Sequence, residues 1–271
     1  MLTLDIAVVT HGPEGILRVE KMLLNSIDNV RYVVSWQNHN NAPIPDKIVE
    51  RKDVVVHRLG IPGISNNRNN ALEHSKGDIV LFSDDDLIYN KDSLLKIIEI
   101  FEKDNSLDVG LFKVDFFNKK NYPAEELKLG LPLPKNYYVS SVEIALRRDR
   151  INDLRFYPEL GLGAEKMLCG EEELFLYSCL KRGMKCRFFP VEICSHPDPT
   201  TGDMINPGVL MAMGFVSTIL YPVSSFLRIP LKALRLSKTK KVGLFKALIS
   251  LSKGAIKAKT GVNKIPKCYR W

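Results

Sequence analysis

The sequence predicts an α/β fold, a mostly parallel sheet flanked by helices, followed by a basic helical appendage. Over the first hundred residues, short β-branched runs alternate with amphipathic segments, as in parallel strands joined by crossover helices. The 271 residues are 45% hydrophobic and 26% charged, which excludes disordered, collagen-like and disulfide-scaffold proteins. No Asp or Glu follows Asp203, but 13 Lys and Arg residues do. We therefore expect one domain over 1–205 and a basic helical region over 206–271.

The first hundred residues contain four predicted strands and three predicted helices. The strands are Asp5–Thr10, Val30–Ser35, Val54–His57 and Ile79–Phe82, each a short run rich in apolar or β-branched residues. The helices are Gly15–Ser26, a segment from Ser65 through about His74, and a segment that follows Asn90. Ser65 and Asn90 are the expected N-caps of the last two helices.

The next hundred residues are less regular. We predict strands over Val109–Phe117, Tyr137–Arg147 and Cys186–Ser195, and a helix over Glu171–Arg182. In open α/β sheets, ligands bind beyond the carboxyl ends of the strands. Polar residues at those ends are therefore the first candidates for a functional site.

Three adjacent carboxylates, Asp84–Asp86, directly follow the apolar strand IVLF. They repel one another, and burying them without a cation would cost several kcal/mol. A solvated turn or a helix start is one interpretation. The other is a site for a hard divalent cation that is shared with the phosphates of a substrate. The triplet alone favours neither.

Three other polar segments have both an ordinary and a functional interpretation. Acids open a predicted helix in GEEELF (170–175), where they also complement the helix dipole. His196 ends a strand in SHP, where a histidine is often merely structural. The segment SNNRNNAL (65–72) opens a helix with amides and Arg68, a combination suited to phosphate but also common at helix starts.

Taken in order, these segments resemble the family 2 glycosyltransferases with the GT-A fold, over roughly residues 4–200. The resemblance rests on IAVVT, SNNRNNAL, GDIVLFSDDD, FYPELGLGAE, GEEELF and RFFPVEICSH. It implies a Rossmann-like GT-A sheet. It also implies a hexosyltransferase-like enzyme that transfers a sugar from a nucleotide diphosphosugar to a hydroxyl group with inversion, and no enzyme nucleophile is then required.

The resemblance also assigns donor and metal residues. Asp84, Asp85 and Asp86 match the DXD-type motif, in which an early carboxylate contacts the nucleotide and the last binds Mn²⁺ or Mg²⁺. The resemblance therefore implies that Asp84 and Asp85 bind the donor. Asp86, Asp84 and His196 are the implied metal ligands, and Arg68 matches an arginine near the donor.

Glu172 falls where the family carries its catalytic base, which is usually Asp. Glutamate is one methylene longer, so Glu171 remains a rival for the role. The acceptor hydroxyl is a poor nucleophile at neutral pH, and a carboxylate that takes its proton contributes roughly 10²–10⁴-fold to the rate.

The second strand departs from the family pattern. It runs into Trp36 and Gln37, where relatives often carry an acidic pair that reads the nucleotide base. Trp36 is expected to stack on a base and Gln37 to hydrogen-bond it, and a UDP-sugar is the expected donor. Thr10 and His11, at the end of the first strand, are nucleotide contacts by position.

The basic region predicts contact with an anionic membrane surface. Pro207–Leu227 is uncharged, but its glycines, proline and hydroxyl groups favour helices that pack on the domain or lie in the interface over a membrane span. In Leu244–Lys257, one helical face carries Leu244, Leu248, Leu251 and Ala255, with Phe245, Ile249 and Ile256 beside it. Lys246, Lys253 and Lys257 lie opposite. The alternative is a helix whose apolar face packs on the enzyme while its lysines are solvated. A nucleic-acid partner is not expected.

These features together predict a cytoplasmic enzyme at the inner face of the membrane, acting on a lipid-linked or polysaccharide acceptor. Five cysteines without a CxxC pair, and no signal-peptide pattern at the start, are typical of a reducing compartment. Two alternatives remain. One is a membrane-associated nucleotide-sugar-binding module without turnover, and the other is nucleotidyl transfer onto a sugar phosphate.

Overall fold

The computed structural model describes residues 1–116, 120–134, 137–196, 205–239, 242–261 and 265–269. The chain forms two compact units. Unit 1 comprises Met1–Pro62, Asn66–Leu154 and Cys179–Thr200, and unit 2 comprises Gly63–Ser65, Arg155–Ser178 and Thr201–Trp271. The division of the chain at residue 205 stays a prediction.

Unit 1 is built on one sheet, to which the described residues contribute nine strands in the order β3-β2-β1-β4-β8-β6-β9-β5, with β7 paired to β9. The strands are β1 (Leu4–His11), β2 (Val30–Gln37), β3 (Val54–Leu59), β4 (Ile79–Asp84), β5 (Ile88–Tyr89), β6 (Val109–Phe116), β7 (Leu127–Lys128), β8 (Ile144–Arg147) and β9 (Cys186–His196). The long ladders, β1 with β2 and β4, β2 with β3, and β6 with β9, are parallel. The predicted α/β fold is confirmed.

Eight α-helices lie in the described residues. They are α1 (Gly15–Met22), α2 (Asp46–Val49), α3 (Ile64–His74), α4 (Lys91–Lys103), α5 (Glu171–Lys181), α6 (Pro207–Leu220), α7 (Ser225–Lys238) and α8 (Leu244–Gly261). Asn90 caps α4 as predicted, because its side chain accepts a hydrogen bond from the backbone N–H of Ser93 at 2.8 Å. The face of α4 that carries Leu94, Ile97, Ile98 and Phe101 is buried.

Two predicted helix ends are wrong, and tertiary contacts explain both. Helix α1 ends at Met22 and not at Ser26, since the backbone of Leu24 donates to the Tyr32 hydroxyl and accepts from Arg51. Ser65 does not cap α3, which begins one residue earlier. The Ser65 hydroxyl instead donates to the carbonyl of Leu160 in the same unit.

The predicted strand Tyr137–Arg147 is also wrong over its first half. Only Ile144–Arg147 pairs in the sheet, and Ser141–Glu143 forms a 3₁₀ turn closed by a capping box between Ser140 and Glu143. The Glu143 carboxylate is buried and binds Lys120 at 2.6 Å, so a tertiary ion pair holds this segment out of the sheet. Strand β6 is described to Phe116, and the predicted end at Phe117 lies outside the described residues.

Unit 2 contains the crossing of α6 and α8. These helices meet at Gly214 and Gly254, where an added Cβ would overlap the carbonyl oxygens of Leu251 and Met211, respectively. Because these two glycines have no side chain, the backbones of α6 and α8 can come into direct contact. Around it, Leu210 of α6, Ile229 and Ala233 of α7, and Ala247, Leu251 and Ala255 of α8 form a buried cluster.

Gly214→Ala should destabilise the protein, because the new methyl group can be accommodated only if the two helices separate. Overpacking of this kind costs at least about 2 kcal/mol, equivalent to a fall in Tm of roughly 4–8 °C. Thermal unfolding followed by circular dichroism measures it. Gly243→Ala is the matched control, since its Cβ meets no atom within 4 Å. Equal Tm values for the two variants would refute the close crossing.

The apolar stretch 207–227 is divided between two helices. Helix α6 ends at Leu220 and α7 begins at Ser225, with Pro222 between them. Among the helices of the described residues, none combines the length and the apolarity that a membrane crossing requires.

Candidate active site

Carboxylates, an arginine and a histidine gather in unit 1 beyond the ends of strands β1, β4 and β9. Strand β4 ends at Asp84, which is opposite Val9 in the parallel pairing with β1. Strand β9 ends at His196. Because β1 and β4 run in the same direction, Thr10 and Asp84 emerge at one edge of the sheet.

Asp85 is held by the protein itself. Its carboxylate accepts a hydrogen bond from the Thr10 hydroxyl and a bidentate pair from Arg18, with both N–O distances at 2.9 Å. These hydrogen bonds raise the pKa of the Arg18 guanidinium. Since Asp85 is 7% exposed, it anchors α1 to the end of β4. Arg18 is not among the predicted site residues, because it lies 67 residues before Asp85 in an ordinary amphipathic helix.

Asp84 faces Arg68 of helix α3. The guanidinium lies 3.7 Å from Asp84 Oδ1, and the Arg68 side chain is only 3% exposed. Burial raises the pKa of Asp84, and Asp85 and Asp86 add to this effect, whereas Arg68 and His196 oppose it. A buried arginine beside a carboxylate provides positive charge at this strand end.

Asp86 faces His196 across the same edge. The His196 Nε2 atom is 3.5 Å from Asp86 Oδ1, and the histidine is buried against Phe116. Burial raises the pKa of Asp86, with a further contribution from Asp85, while His196 lowers it. The structure therefore brings Asp84, Asp86 and His196 into one electrostatically coupled group.

Four buried polar atoms near this edge make no hydrogen bond within the described part of the chain. They are Asn67 Oδ1, Asp84 Oδ1, Asp86 Oδ1 and His196 Nδ1. Asn67 lies in α3 and donates to the Thr10 carbonyl at 3.0 Å through its other amide atom. Because buried polar groups are normally satisfied, acceptors left open at a strand end indicate a place for a bound ligand.

A divalent cation fits the two carboxylates, although they do not form a complete site. Open, buried carboxylate oxygens with raised pKa values are suitable ligands for a hard cation. No group of three or more His, Cys, Asp and Glu side chains among the described residues is arranged to hold a metal ion. Mg²⁺ commonly takes only one or two carboxylates and completes its shell with water and substrate phosphates, so Asp84 and Asp86 satisfy that smaller requirement.

The end of strand β2 corrects one prediction. Trp36 cannot stack on a nucleotide base in this structure, because its ring is fully buried and its Nε1 donates to the Gly12 carbonyl at 2.7 Å. Gln37 is also buried, and its amide nitrogen donates to the Ile61 carbonyl. His11 is exposed at the end of β1, opposite Gln37 in the strand pairing.

Glu171 and Glu172 lie in unit 2, in the first turn of α5. Glu171 is 4% exposed, and its carboxyl group packs against Gly161. A Cβ atom added to Gly161 would lie only 2.9 Å from the carboxyl carbon of Glu171. Glu172 is half-buried.

The structure thus brings six of the predicted residues together, namely Thr10, Arg68, Asp84, Asp85, Asp86 and His196. Gln37 ends the neighbouring strand β2, and His11 lies opposite it at the end of β1. The structure adds Arg18, which no sequence pattern distinguished from an ordinary helix position, and Asn67, which lies in the SNNRNNAL segment but was not assigned a role. The roles of all these residues remain predictions.

Comparison with known proteins finds one family model that matches part of the chain and a set of similar folds. Residues 41–157 match the family model described as "Glycosyl transferase family 2". No curated protein sequence matches the chain. The crystal structure of TarS 1–349 from S. aureus is similar with a TM-score of 0.61 at 17% identity, covering 96% of this chain and 92% of that one. The same fragment in complex with UDP-GlcNAc gives 0.59 at 16% identity and the same coverage. Its complex with UDP gives 0.57 at 19% identity, covering 89% and 73%.

Proposed function

We propose that this chain, whose residues 41–157 match the family 2 glycosyltransferase model, is an inverting, metal-dependent glycosyltransferase. The proposed donor is a UDP-sugar, and the proposed acceptor is a hydroxyl group of a lipid-linked molecule or a polysaccharide. TarS, whose fold is similar, has been crystallised with UDP and with UDP-GlcNAc, which supports a uridine nucleotide as the donor.

The observation that carries the proposal is the group of open acceptors at the ends of β4 and β9. Asp84 and Asp86 are acidic groups whose pKa values are raised by burial, with Oδ1 atoms that accept no hydrogen bond in the described part of the chain. Such an arrangement is unfavourable unless a ligand compensates it. A nucleotide diphosphate with a divalent cation supplies that compensation.

Asp84 and Asp86 are the residues that would hold Mn²⁺ or Mg²⁺, with His196 beside Asp86. When bound, the cation would neutralise the negative charge that develops on the departing diphosphate. Arg68 is buried within 3.7 Å of Asp84 and adds a fixed positive charge. Arg18 and Thr10 hold Asp85 in place, which fixes the backbone of the acidic triplet.

Glu172 is the proposed base that takes the proton of the attacking acceptor hydroxyl. Its half-exposed position favours it over Glu171, whose carboxylate is packed against Gly161. Attack opposite the leaving group then inverts the sugar in a single displacement.

We place the enzyme in the cytoplasm, at the inner face of the membrane. After Asp203 the chain has 13 basic residues and no acidic one, which supports attraction to anionic lipid headgroups. A membrane location brings the active site close to a lipid-linked acceptor.

A donor-hydrolysis screen tests the proposal directly. The purified chain is incubated with UDP-, GDP-, CDP- and dTDP-sugars, with Mn²⁺ or with EDTA, and released nucleotide diphosphate is measured. We expect release from a UDP-sugar that depends on Mn²⁺. A parallel reaction contains a sugar phosphate and nucleoside triphosphates. Pyrophosphate release there, without hydrolysis of any nucleotide sugar, would overturn the proposal in favour of nucleotidyl transfer.

A further inference from the structure

Helix α7 presents an apolar face outward in addition to the face that it buries. Ile229 and Ala233 pack into unit 2 at helical spacing. The side chains that remain exposed are Phe226 at 65%, Leu227 at 57%, Leu231 at 65% and Leu234 at 42%. At 100° per residue these four fall within one broad stripe beside the buried one. An exposed stripe of large apolar side chains is unfavourable in water and indicates an interaction site.

Helix α8 repeats this arrangement, because its predicted apolar side chains are divided between a buried side and an exposed side. Leu251 and Ala255, predicted to meet lipid, are buried in unit 2 beside Ala247. Leu244, on the same face as Leu251, stays 40% exposed. Phe245 at 78%, Ile249 at 55% and Ile256 at 61% are exposed as well, and these three recur on one side of the helix. Leu251 and Ala255 therefore pack on the protein, whereas the side of α8 that carries Phe245, Ile249 and Ile256 remains open to solvent.

Basic side chains border both apolar stripes. The exposed ones are Arg228, Arg235 and Lys238 on α7, and Lys246, Lys253 and Lys259 on α8. No acidic residue occurs anywhere in these helices, because the last acid of the chain is Asp203. Large apolar groups flanked by cations are the combination that inserts into the headgroup region of anionic lipids.

We propose that α7 and α8 together form a lipid-docking surface that seats this chain on an anionic bilayer. The surface consists of Phe226, Leu227, Leu231 and Leu234 of α7, Phe245, Ile249 and Ile256 of α8, and the six cations that border them. The apolar side chains enter the boundary between headgroups and acyl chains, and the cations bind lipid phosphates. This inference rests on the proposed membrane location and identifies the residues responsible for it.

Charge complementarity selects the bilayer over other occupants. A second copy of the chain would bring two surfaces without acids together, and their lysines and arginines would repel. Nucleic acid would leave the leucine and isoleucine side chains without an apolar partner, since its grooves and phosphates are polar. An anionic lipid surface satisfies both the cations and the apolar groups.

Vesicle co-sedimentation of the full-length chain tests the inference. We expect the wild-type protein to pellet with phosphatidylglycerol/phosphatidylcholine vesicles and to bind pure phosphatidylcholine vesicles far more weakly. Phe245→Ser with Ile249→Ser should weaken binding to the anionic vesicles at least roughly tenfold. The triple change of Lys246, Lys253 and Lys259 to Gln should do the same, and 0.5 M NaCl should weaken the wild type.

Leu17→Ser with Val49→Ser is the matched control, because these side chains are 42% and 66% exposed and lie in unit 1. This variant should bind as the wild type does, and Tm should show that all variants are folded. If the wild type pellets and the Phe245/Ile249 variant pellets equally well, the lipid-docking surface is wrong while the membrane location stands. If the wild type does not pellet, the membrane location itself fails. Loss of a dimer by the Phe245/Ile249 variant in sedimentation velocity, with vesicle binding unchanged, would overturn the inference in favour of a second copy.

Discussion

Replacing Glu172 with Gln should reduce sugar transfer at least a hundredfold while leaving donor affinity unchanged. Glutamine preserves the size of the side chain and its place in the first turn of α5, but it cannot accept a proton. The loss of a general base costs roughly 10²–10⁴-fold. Transfer is measured by nucleotide diphosphate release in the presence of acceptor, and donor affinity by calorimetric titration.

The separation of the two readouts makes this test specific. A side chain that only supports the fold would lower Tm and affect both readouts together. Glu165→Gln is the matched control, since its side chain is 85% exposed in the same unit, and it should retain full activity. Glu171→Gln tests the rival directly. Near-normal transfer by Glu172→Gln, together with a large loss in Glu171→Gln, would move the base to Glu171.

Asp86→Ala should abolish Mn²⁺-dependent donor binding. The substitution removes one of the two carboxylates that the proposed cation site requires and leaves Asp84 alone with Arg68. Calorimetric titration of a UDP-sugar, with Mn²⁺ and with EDTA, measures the effect. The wild type should bind the donor much more strongly with Mn²⁺, whereas the variant should show no difference between the two conditions.

The pH dependence follows from the pKa shifts. Burial raises the pKa values of Asp84 and Asp86 in the folded chain, and metal ligands must be deprotonated. As the pH is lowered, donor affinity in Mn²⁺ should therefore begin to fall above pH 4, the region in which ordinary aspartates titrate.

The same shifts affect stability. A raised pKa in the folded state means that these groups oppose folding as the pH rises. Removing the Asp86 carboxylate should accordingly leave the Tm of the metal-free protein undiminished at pH 7.

Asp149→Ala controls for the general loss of an aspartate, because its side chain is 76% exposed. It should bind the donor as the wild type does. Asp86→Asn keeps the shape of the side chain and should lose the Mn²⁺ dependence as well. If Asp86→Ala responds to Mn²⁺ as strongly as the wild type does, the metal assignment is wrong.

The strands and helices with strong local signals could be predicted from the sequence. β1, β2 and β4 are short β-branched runs that lie in the centre of a sheet, and α4 carries both an apolar stripe and an N-cap at Asn90. In these segments the local secondary-structure preference agrees with the tertiary environment, so the periodicity of apolar residues is sufficient to predict the element. The acidic triplet and His196 could also be located, because polar residues that follow apolar strands fall at one edge of the sheet.

The failures occur where a distant partner overrides the local pattern. Trp36 follows a strand like a ligand-contacting residue, but a hydrogen bond to the Gly12 carbonyl and complete burial place it in the core. The segment before Ile144 has strand-like composition, yet the buried Glu143–Lys120 ion pair keeps it irregular. Neither partner can be identified by its position in the sequence.

The sequence by itself determined the fold class, the order of the longer strands and helices, and the chemical type of the candidate site, since these follow from periodicity and from which residues end the strands. The short elements α2, β5 and β7 carry too weak a local signal to be predicted. Only the tertiary structure decided that Asp85 is held by Arg18, and that Asp84 and Asp86 keep open oxygens. It also decided which face of α8 is buried. The physical reason is that hydrogen-bond satisfaction and burial depend on groups that are far apart in the chain. When a helix has two apolar faces, only the contacts with its neighbouring helices show which face is buried.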